Sequence, residues 1–571
     1  MTFDQGAILV LLVGMLAAFA VDRLRMEVVA LAGLAAGFLL GLVPAGRLFA
    51  GFADPAVITV VEILLIVQVL ARSALLDRLA KRIASARLGE RATIAILCLV
   101  GATISVFMNN IGALALTLPV VYGVCHASGI APARVLMPMS FATLLGGICS
   151  EIGTPANLIA SGQLIAETGH GFALFDFAWA GIPAALAGLV AIVLLVPGRL
   201  AAATDGEPSE SDRAIAMAAL VPENSPLAGL PLAQLPFTVH SVLRDGKQVF
   251  LAARQATLRP GDTVLLEGTE REAGALLRAG DLNLPSGLSA LPATRAVVMP
   301  ESTVVGSRVG NLFAFAARGI AVVAVAPRAA RIEGGFADLQ LSIGDILYLH
   351  GPAGRIADAL DACEMLAVGA SGPPQQPASG FGLAVFAAGM ALAATSLVPP
   401  AVAFGAVVLV LAASGALDLR IGLAALNWPI LVMLAAMIPL GMAVETTGAA
   451  RVLADALIAA GAGSGPVYTV AAMLILAVLV TPFVNNATTM IVLGPIAVEA
   501  ARRSGVAPEP LLIAVAMGAS IDFLTPFGHH NNTLVMGLGG YRFADFPKAG
   551  WGVTVAAVAT GLLFIALAWL D

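Results

Sequence analysis

Two pairs of adjacent asparagines, Asn109-Asn110 and Asn485-Asn486, sit in the middle of long apolar runs. A carboxamide brings one oxygen acceptor and two N–H donors, so it can hold a small cation, donate to an anion or knit a broken backbone. Further along each half comes a Thr-Pro step, Thr154-Pro155 and Thr525-Pro526. An acid precedes each threonine by three residues, Glu151 in one half and Asp522 in the other. Carboxylates inside apolar segments are costly and therefore mark function by default. Glu151 and Asp522 either charge cation sites or carry protons; the plainer alternative is that they face a pore or pair with neighbouring histidines. His529 and His530 follow the second Thr-Pro. They either titrate near neutral pH and favour an anion when charged, or serve as neutral hydrogen-bond partners. Glu62, in an earlier apolar run, reads as a structurally paired acid.

The elements that position these groups are membrane spans. Of the 571 residues 59% are hydrophobic and 12% charged, with a mean hydropathy of +0.94. A soluble domain carries about 25% charged residues, so too little polar surface is present to cover one of this size. The net charge of −6 comes without any basic stripe, which excludes a nucleic-acid partner. Cys98, Cys125, Cys149 and Cys363 are widely spaced and read as small core hydrophobes, with neither a disulfide framework nor a zinc motif.

Spans of roughly 17–25 apolar residues are expected at 6–22 (a first span, not a signal peptide), 27–44, 55–71 and 177–197. A second set is expected at 381–397, 400–416, 428–447 and 550–569. Asp77 to Arg91 reads as an interfacial amphipathic helix. The run 92–124 is too long for one span and too short for two, which predicts a re-entrant hairpin of two half-helices meeting at the Asn pair. Run 466–499 predicts a second. In 133–168 the stretch Ser150-Glu-Ile-Gly-Thr-Pro-Ala-Asn157 predicts a broken helix, and 508–538 predicts its counterpart.

Ordered matches tie the halves together. Asn109-Asn110 with Pro119 corresponds to Asn485-Asn486 with Pro495, and Gly129-Ile-Ala-Pro132 to Gly505-Val-Ala-Pro508. Phe177-Ala-Trp-Ala-Gly181 corresponds to Phe546-Pro-Lys-Ala-Gly550. Each copy makes five crossings, an odd number, so the second copy is inverted. With the polar central region placed in the cytoplasm, both termini lie outside. Thirteen Lys and Arg, among them Arg82, Arg134, Arg199 and Lys548, then fall on inside loops, against four outside: Arg47, Arg451, Arg502 and Arg503. The fold class expected is an all-α polytopic membrane protein of two inverted repeats with an inserted cytosolic α/β pair. Its parts are repeat 1 at 1–200, soluble domains at 201–288 and 289–375 ending in the linker Gly372 to Pro377, and repeat 2 at 376–571.

On these residues the membrane halves resemble the divalent-anion:sodium symporter family (solute carrier family 13) of the ion transporter superfamily. That family tips its hairpins with Ser-Asn-Thr and breaks its helices at Gly-Thr-Pro-Pro-Asn-like loops. Gly153-Thr-Pro-Ala-Asn157 is a close match; Thr525-Pro526 with Asn531 or Asn532 is a looser one. Asn109 and Asn485 replace the Ser, while Ile111 and Ala487 replace the Thr. The resemblance implies a first sodium site from Ser105, Asn109, Asn110 and the Gly153 carbonyl. It implies a second from Thr481, Val484, Asn486 and the Leu524 carbonyl. Substrate would lie between the tips near Thr154, Pro155, Thr525 and Pro526, in a plasma (inner) membrane homodimer. The insert repeats Pro222-Glu-Asn-Ser…Gly229 and Leu258-Arg-Pro-Gly-Asp262 as Pro300-Glu-Ser-Thr…Gly306 and Leu341-Ser-Ile-Gly-Asp345. It is similar to tandem TrkA-C domains, which would sense a small cytosolic ligand. The functional expectation is a secondary transporter of a sulfate-like or dicarboxylate anion, with sodium as coupling ion and no cofactor. The alternatives are a sodium/proton antiporter using Glu151 and Asp522, and a ligand-gated channel; no enzyme motif is present.

Overall fold

The computed structural model describes residues 2–20, 26–71, 82–204, 214–368 and 380–570, apart from short stretches within them (84, 87, 236, 245–246, 250–256, 286–290, 292–293, 300–301, 328–333, 396, 425, 427, 462–464 and 527). Residues 77–81, 84 and 87 of the amphipathic segment 77–91, and the linker 372–377, lie outside the described residues. Two compact units are formed. The first comprises Met1–Ala201, Gln376–Asn532 and Phe543–Asp571; the second comprises Ala202–Gln375 with Thr533–Arg542.

The first unit is helical. Its first half runs α1 Phe3–Ala20, α2 Met26–Leu39, α3 Pro55–Ala71, α4 Glu90–Val106, α5 Asn110–Ser128, α6 Ala133–Gly147, α7 Pro155–Thr168 and α8 Ala178–Thr204. Uniformly apolar runs give helices without a polar face, which only a lipid or protein surround can accommodate. Among the described residues, six helical segments are long and apolar enough to cross a membrane, including Ala178–Leu200, Trp428–Thr446 and Asp545–Trp569.

The central unit carries β1 Ala214–Leu220, β2 Thr238–Arg244, β3 Lys247–Val249, β4 Thr263–Thr269, α9 Glu270–Ala279, β5 Arg295–Val298, α10 Phe313–Ala316, β6 Ala321–Ala326, β7 Ile346–His350, α11 Ala353–Ala362 and β8 Met365–Val368. All eight strands form one sheet in the order β3-β2-β4-β1-β6-β7-β5-β8. The order contains one antiparallel arrangement twice, β1-β4-β2 and β5-β7-β6, joined where Ala216 and Met217 of β1 pair with Val325 and Ala324 of β6. The repeated Gly-Asp motifs account for the duplicate turns. Gly261 and Gly344 have φ of 83° and 87°, a region glycine enters without cost. The buried Asp262 and Asp345 then accept from the N–H of Arg259 and Ser342 at 2.9 and 2.7 Å.

Glu364, between α11 and β8, has φ 52°, and burial pushes its carboxyl up to about 7. The folded state thus binds this proton more tightly than the unfolded one, whose value is near 4.5. The stability it contributes is complete below that value and is lost as pH rises through about 7. Glu364→Gln should therefore slow amide hydrogen exchange in β5, β7 and β8 at pH 8, with a much smaller difference at pH 5. Equal exchange at pH 8 would contradict this.

The second half of the helical unit runs α12 Gly380–Ala394, α13 Pro400–Ala413, α14 Leu419–Ala424, α15 Trp428–Thr446, α16 Ala449–Ala460, α17 Gly465–Val480, α18 Asn486–Ser504, α19 Pro508–Ser520, α20 His530–Gly539 and α21 Asp545–Trp569. Arg451 lies not in a loop but on the amphipathic helix α16, together with Asp455. Helix–turn–helix pairs occupy the two runs where hairpins of half-helices are expected, but their arms are full helices, and Asn110–Ser128 and Gly465–Phe483 are among the segments long and apolar enough to cross a membrane. Arms α4 and α5 have 17 and 19 residues and α17 and α18 have 16 and 19, so each is about 24–29 Å long and exceeds a half-helix. The chain turns back at Phe107–Asn109 and, through a 3-10 turn at Thr481–Phe483, at Asn485. Both returning arms contain the matched proline, Pro119 or Pro495, and both end on a left-handed glycine, Gly129 or Gly505.

The last helices meet the broken helices through glycine. A Cβ on Gly181 would lie 2.3 Å from the Ile148 carbonyl oxygen, and one on Gly550 would lie 2.0 Å from that of Phe523. Only glycine permits a helix to approach another segment's backbone this closely.

Candidate functional site

Each broken helix is interrupted where Gly, Pro and polar residues replace helix formers. Helix α6 stops at Gly147 and α7 begins at Pro155, whose missing N–H costs nothing at a first helical position. Thr154 caps α7, accepting from Ala156 N–H at 3.4 Å. The carbonyls freed where α6 ends and in the break are taken by Asn157, whose Nδ2 donates to the oxygens of Gly147 (3.1 Å) and Ser150 (2.7 Å). The second break uses the same device: Asn532 Nδ2 donates to the oxygens of Asp522 (2.7 Å) and Thr525 (3.0 Å). Asn532 Oδ1 in turn accepts from Ser140 on α6 at 2.7 Å. These carboxamide clips satisfy backbone groups that an apolar surround would leave unpaired at a cost of several kcal/mol.

The hairpin tips meet the breaks. Ser105 bonds the Asn110 side chain at 2.8 Å, and the Ser150 hydroxyl donates to the Val106 carbonyl. Asn109 and Asn485 cap the returning arms, accepting from Ile111 N–H and Thr488 N–H at 2.9 Å each. Each side-chain oxygen thus accepts one backbone N–H and keeps a second lone pair. Asn485 also adopts φ 156°, a region disfavoured for any residue but glycine. At the second tip, Thr481 hydrogen-bonds Thr489 at 3.1 Å, and Val484 N–H donates to the Thr481 carbonyl.

The tips also cross between the halves. Asn486 Nδ2 donates to Thr154 Oγ1 at 2.8 Å, and Asn531 Nδ2 donates to the Asn110 carbonyl and to Thr143 Oγ1, both at 2.9 Å. His529, 7% exposed, accepts from Asn531 N–H at Nδ1 (3.2 Å), so the proton of its neutral ring is on Nε2. That nitrogen is 3.4 Å from the Asn110 carboxamide. The network is complete when Asn110 presents its oxygen to Nε2–H and its nitrogen to Ser105. Phe523 packs against Phe141 of α6 with ring centroids 5.0 Å apart and the planes tilted by 53°.

The two acids, equivalent in sequence, occupy different surroundings. Asp522 is 2% exposed; its Oδ1 accepts from the Thr525 hydroxyl at 3.3 Å and its Oδ2 has no hydrogen-bond partner. Gly528 wedges between that oxygen and Pro482 of the hairpin turn, so Asp522 borders Thr481–Phe483. Glu151 is 4% exposed, with Oε2 also unpartnered, but its N–H bonds Leu174 and its neighbours are Ser161 and Asp176. It faces the 169–177 loop rather than its own hairpin. The side-chain oxygens of Asn157 and Asn531 are buried and unpartnered as well. Orphaned acceptors at this depth are rare and call for a positive partner. Gly153 N–H donates to Ser150, and Pro155, Leu524, Pro526 and His530 lie on the breaks.

Sequence reading does not single out Ser140, Thr143, Ser161 or Thr489, nor the clip role of Asn157 and Asn532. The available signal was polar side chains three or four residues apart in apolar helices, as at Ser140 and Thr143.

Known proteins match this chain along most of its length. The citrate transporter family (CitMHS) matches over residues 16–489 and again over 390–570. The uncharacterized transporter YfbS of Escherichia coli (strain K12) is 26% identical over 595 residues, covering 96% of each chain. The uncharacterized transporter sll0640 of Synechocystis is 27% identical over 563 residues, 92% of this chain and 91% of its own. Sodium/sulfate cotransporter 2 of Chlamydomonas reinhardtii is 26% identical over 283 residues, 43% of this chain and 32% of its own. A multi-pass helical unit, paired tips and breaks, and a family match across more than half the sequence agree: this chain is a membrane transporter belonging to the citrate transporter family.

Proposed function

We propose that the chain carries a small multivalent anion, sulfate-like or dicarboxylate, across the membrane in symport with sodium, by alternating access of two inverted repeats. The observation that carries the reading is the pairing of tips and breaks across the halves, with amide donors there and buried, unpartnered carboxylate and carboxamide oxygens on the same broken helices. Half-helix N-termini and Asn Nδ2 groups favour an anion, while free oxygens favour a cation. Ile111 and Ala487 bring no hydroxyl to the tips, so Thr154 and the two tip carboxamides are the donors left for substrate. Sulfate is carried by the partial relatives whose names include it, which supports an oxyanion. Thr481, Asp522 and the Leu524 carbonyl would hold one sodium ion, and Ser105, Asn110 and the Gly153 carbonyl another. The central unit would be a cytoplasmic pair of TrkA-C domains that regulates a homodimer through a small ligand.

Uptake of labelled sulfate, citrate and succinate into proteoliposomes under imposed sodium or pH gradients tests this. Saturable uptake that requires inward sodium is expected for one of them; uptake of all three unaffected by sodium would overturn the coupling. The unpartnered oxygens of Glu151 and Asp522 favour a second reading, cation/proton exchange. Under the first reading, Glu151→Gln with Asp522→Asn should lower apparent sodium affinity by at least tenfold. Under the second, sodium gradients alone should move protons in the unmodified protein and fail to in the double variant. Unchanged cation dependence would exclude a role for either acid.

A further inference from the structure

The feet of the two hairpins differ in charge. Hairpin two ends on Arg502-Arg503, where the matched positions of hairpin one are His126 and Ala127. Arg502 Nε donates to Glu167 Oε1 at 2.8 Å, and its remaining nitrogens reach Glu167, Glu499 at 3.4 Å and Glu445 at 3.5 Å. Arg503 pairs with Asp455. Glu167 closes α7 and Glu499 belongs to α18, both elements of the site. Glu445 and Asp455, however, lie on α15 and α16, which carry no part of either break. Nearer its tip the same hairpin meets α15 through apolar and soft contacts, Ile491 against Gly441 and Asn485 Nδ2 beside Met433 Sδ at 3.6 Å. The ion pair at the corresponding end of the first half, Arg134 with Glu90, stays within site-bearing helices.

Alternating access requires the tips and breaks to move against the surrounding helices. From this asymmetry we infer that the arginine pair at the foot of hairpin two is a latch, holding the site-bearing bundle to α15 and α16 in one of its two arrangements. Moving to the other arrangement breaks Arg502–Glu445 and Arg503–Asp455, while Arg502–Glu167 travels with the bundle. At the foot of hairpin one His126 and Ala127 replace the arginines, and among the described residues no ion pair ties that hairpin to a helix outside the site, so the two faces of the transporter are biased apart. Pairs this exposed are individually weak and screened by salt, which suits a contact that must open in every cycle. The inference rests on the transport reading, and Arg502 and Arg503 act as positioning residues, not as ligands.

The test uses the full chain in nanodiscs, with hydrogen exchange followed in the tip 481–489 and, as reference, in the tip 105–111. Glu445→Gln with Asp455→Asn should raise exchange in 481–489 at least threefold at 20 mM NaCl and leave 105–111 unchanged. At 500 mM NaCl the unmodified protein should approach the variant. A charge swap, Arg503→Asp with Asp455→Arg, should restore protection at 481–489, whereas Arg503→Asp alone should not. In proteoliposomes, the anion found to be carried should show altered maximal rate at unchanged KM. Exchange changes confined to 445–460 and 499–506, or a swap that fails to rescue, would overturn the latch. The exchange readout needs no substrate, so failure of all uptake would count against the transport reading alone.

Discussion

Asn532→Ala is expected to reduce uptake more than tenfold in protein that still inserts and folds. The side chain is fully buried and makes three hydrogen bonds, two given to the Asp522 and Thr525 carbonyls and one taken from Ser140. Alanine leaves three buried polar groups without this partner, at about 1–3 kcal/mol for each that finds no other. About 1.4 kcal/mol already corresponds to a tenfold change, and the strain falls on the break that carries Asp522 and Thr525. Asn532→Asp is the sharper variant. It keeps the acceptor for Ser140 but turns a carboxylate oxygen toward two carbonyls, so it should transport no better than alanine. Initial uptake rates, normalised to protein in the membrane, decide the matter; alanine within twofold of the unmodified protein would contradict the clip.

Gly550→Val should be comparably damaging for a reason of shape, not polarity. Any Cβ there falls 2.0 Å from the Phe523 oxygen and 2.6 Å from its carbonyl carbon. Those are backbone atoms, which cannot rotate aside as a flexible side chain can. Either α21 withdraws or the break shifts, and overpacking of this kind costs about 1–3 kcal/mol before any functional effect. Because Phe523 follows Asp522, the shift is delivered directly to the acid. A more than tenfold loss of uptake is expected. Gly123→Val is the control: it lies on a hairpin arm, and a Cβ there meets no atom within 4 Å. Equal activity of the two variants would remove the packing argument.

Much of this architecture was legible because lipid-facing sequence is repetitive. The spans at 55–71 and 428–447 fall within a residue of α3 and α15, since a run that must be apolar on all sides has few possible limits. The turns at Asn109 and Asn485 were legible because capping asparagines and a matched proline recur at one offset. The soluble strands around 264–266 and 346–349 were found, whereas their union into a single eight-stranded sheet was not. That union depends on two residue pairs between β1 and β6, too few to leave a pattern. At the site, the sequence pointed to the tips and both acids but treated each half as self-contained. It could not show that Glu151 and Asp522, matched in register, would turn toward different neighbours. Side-chain direction at an irregular break follows from the three-dimensional path and not from periodicity. For the same reason Asn157 and Asn532 were seen as motif letters, and their clip role emerged only with the fold.

The bonds that cross between halves also set a timetable for biosynthesis. Asn110 waits for His529 and Asn531, which lie 419 and 421 residues later, and Thr154 waits 332 residues for Asn486. At about 5–20 residues per second, the first hairpin exists for roughly 20–80 s before its partners leave the ribosome. During that interval Asn110 and the Thr154 hydroxyl lack their final partners. The early half must therefore be sheltered, by its own collapse or by the insertion machinery. Pulse-labelled chains halted before residue 529 should be cleared faster than chains halted after residue 540.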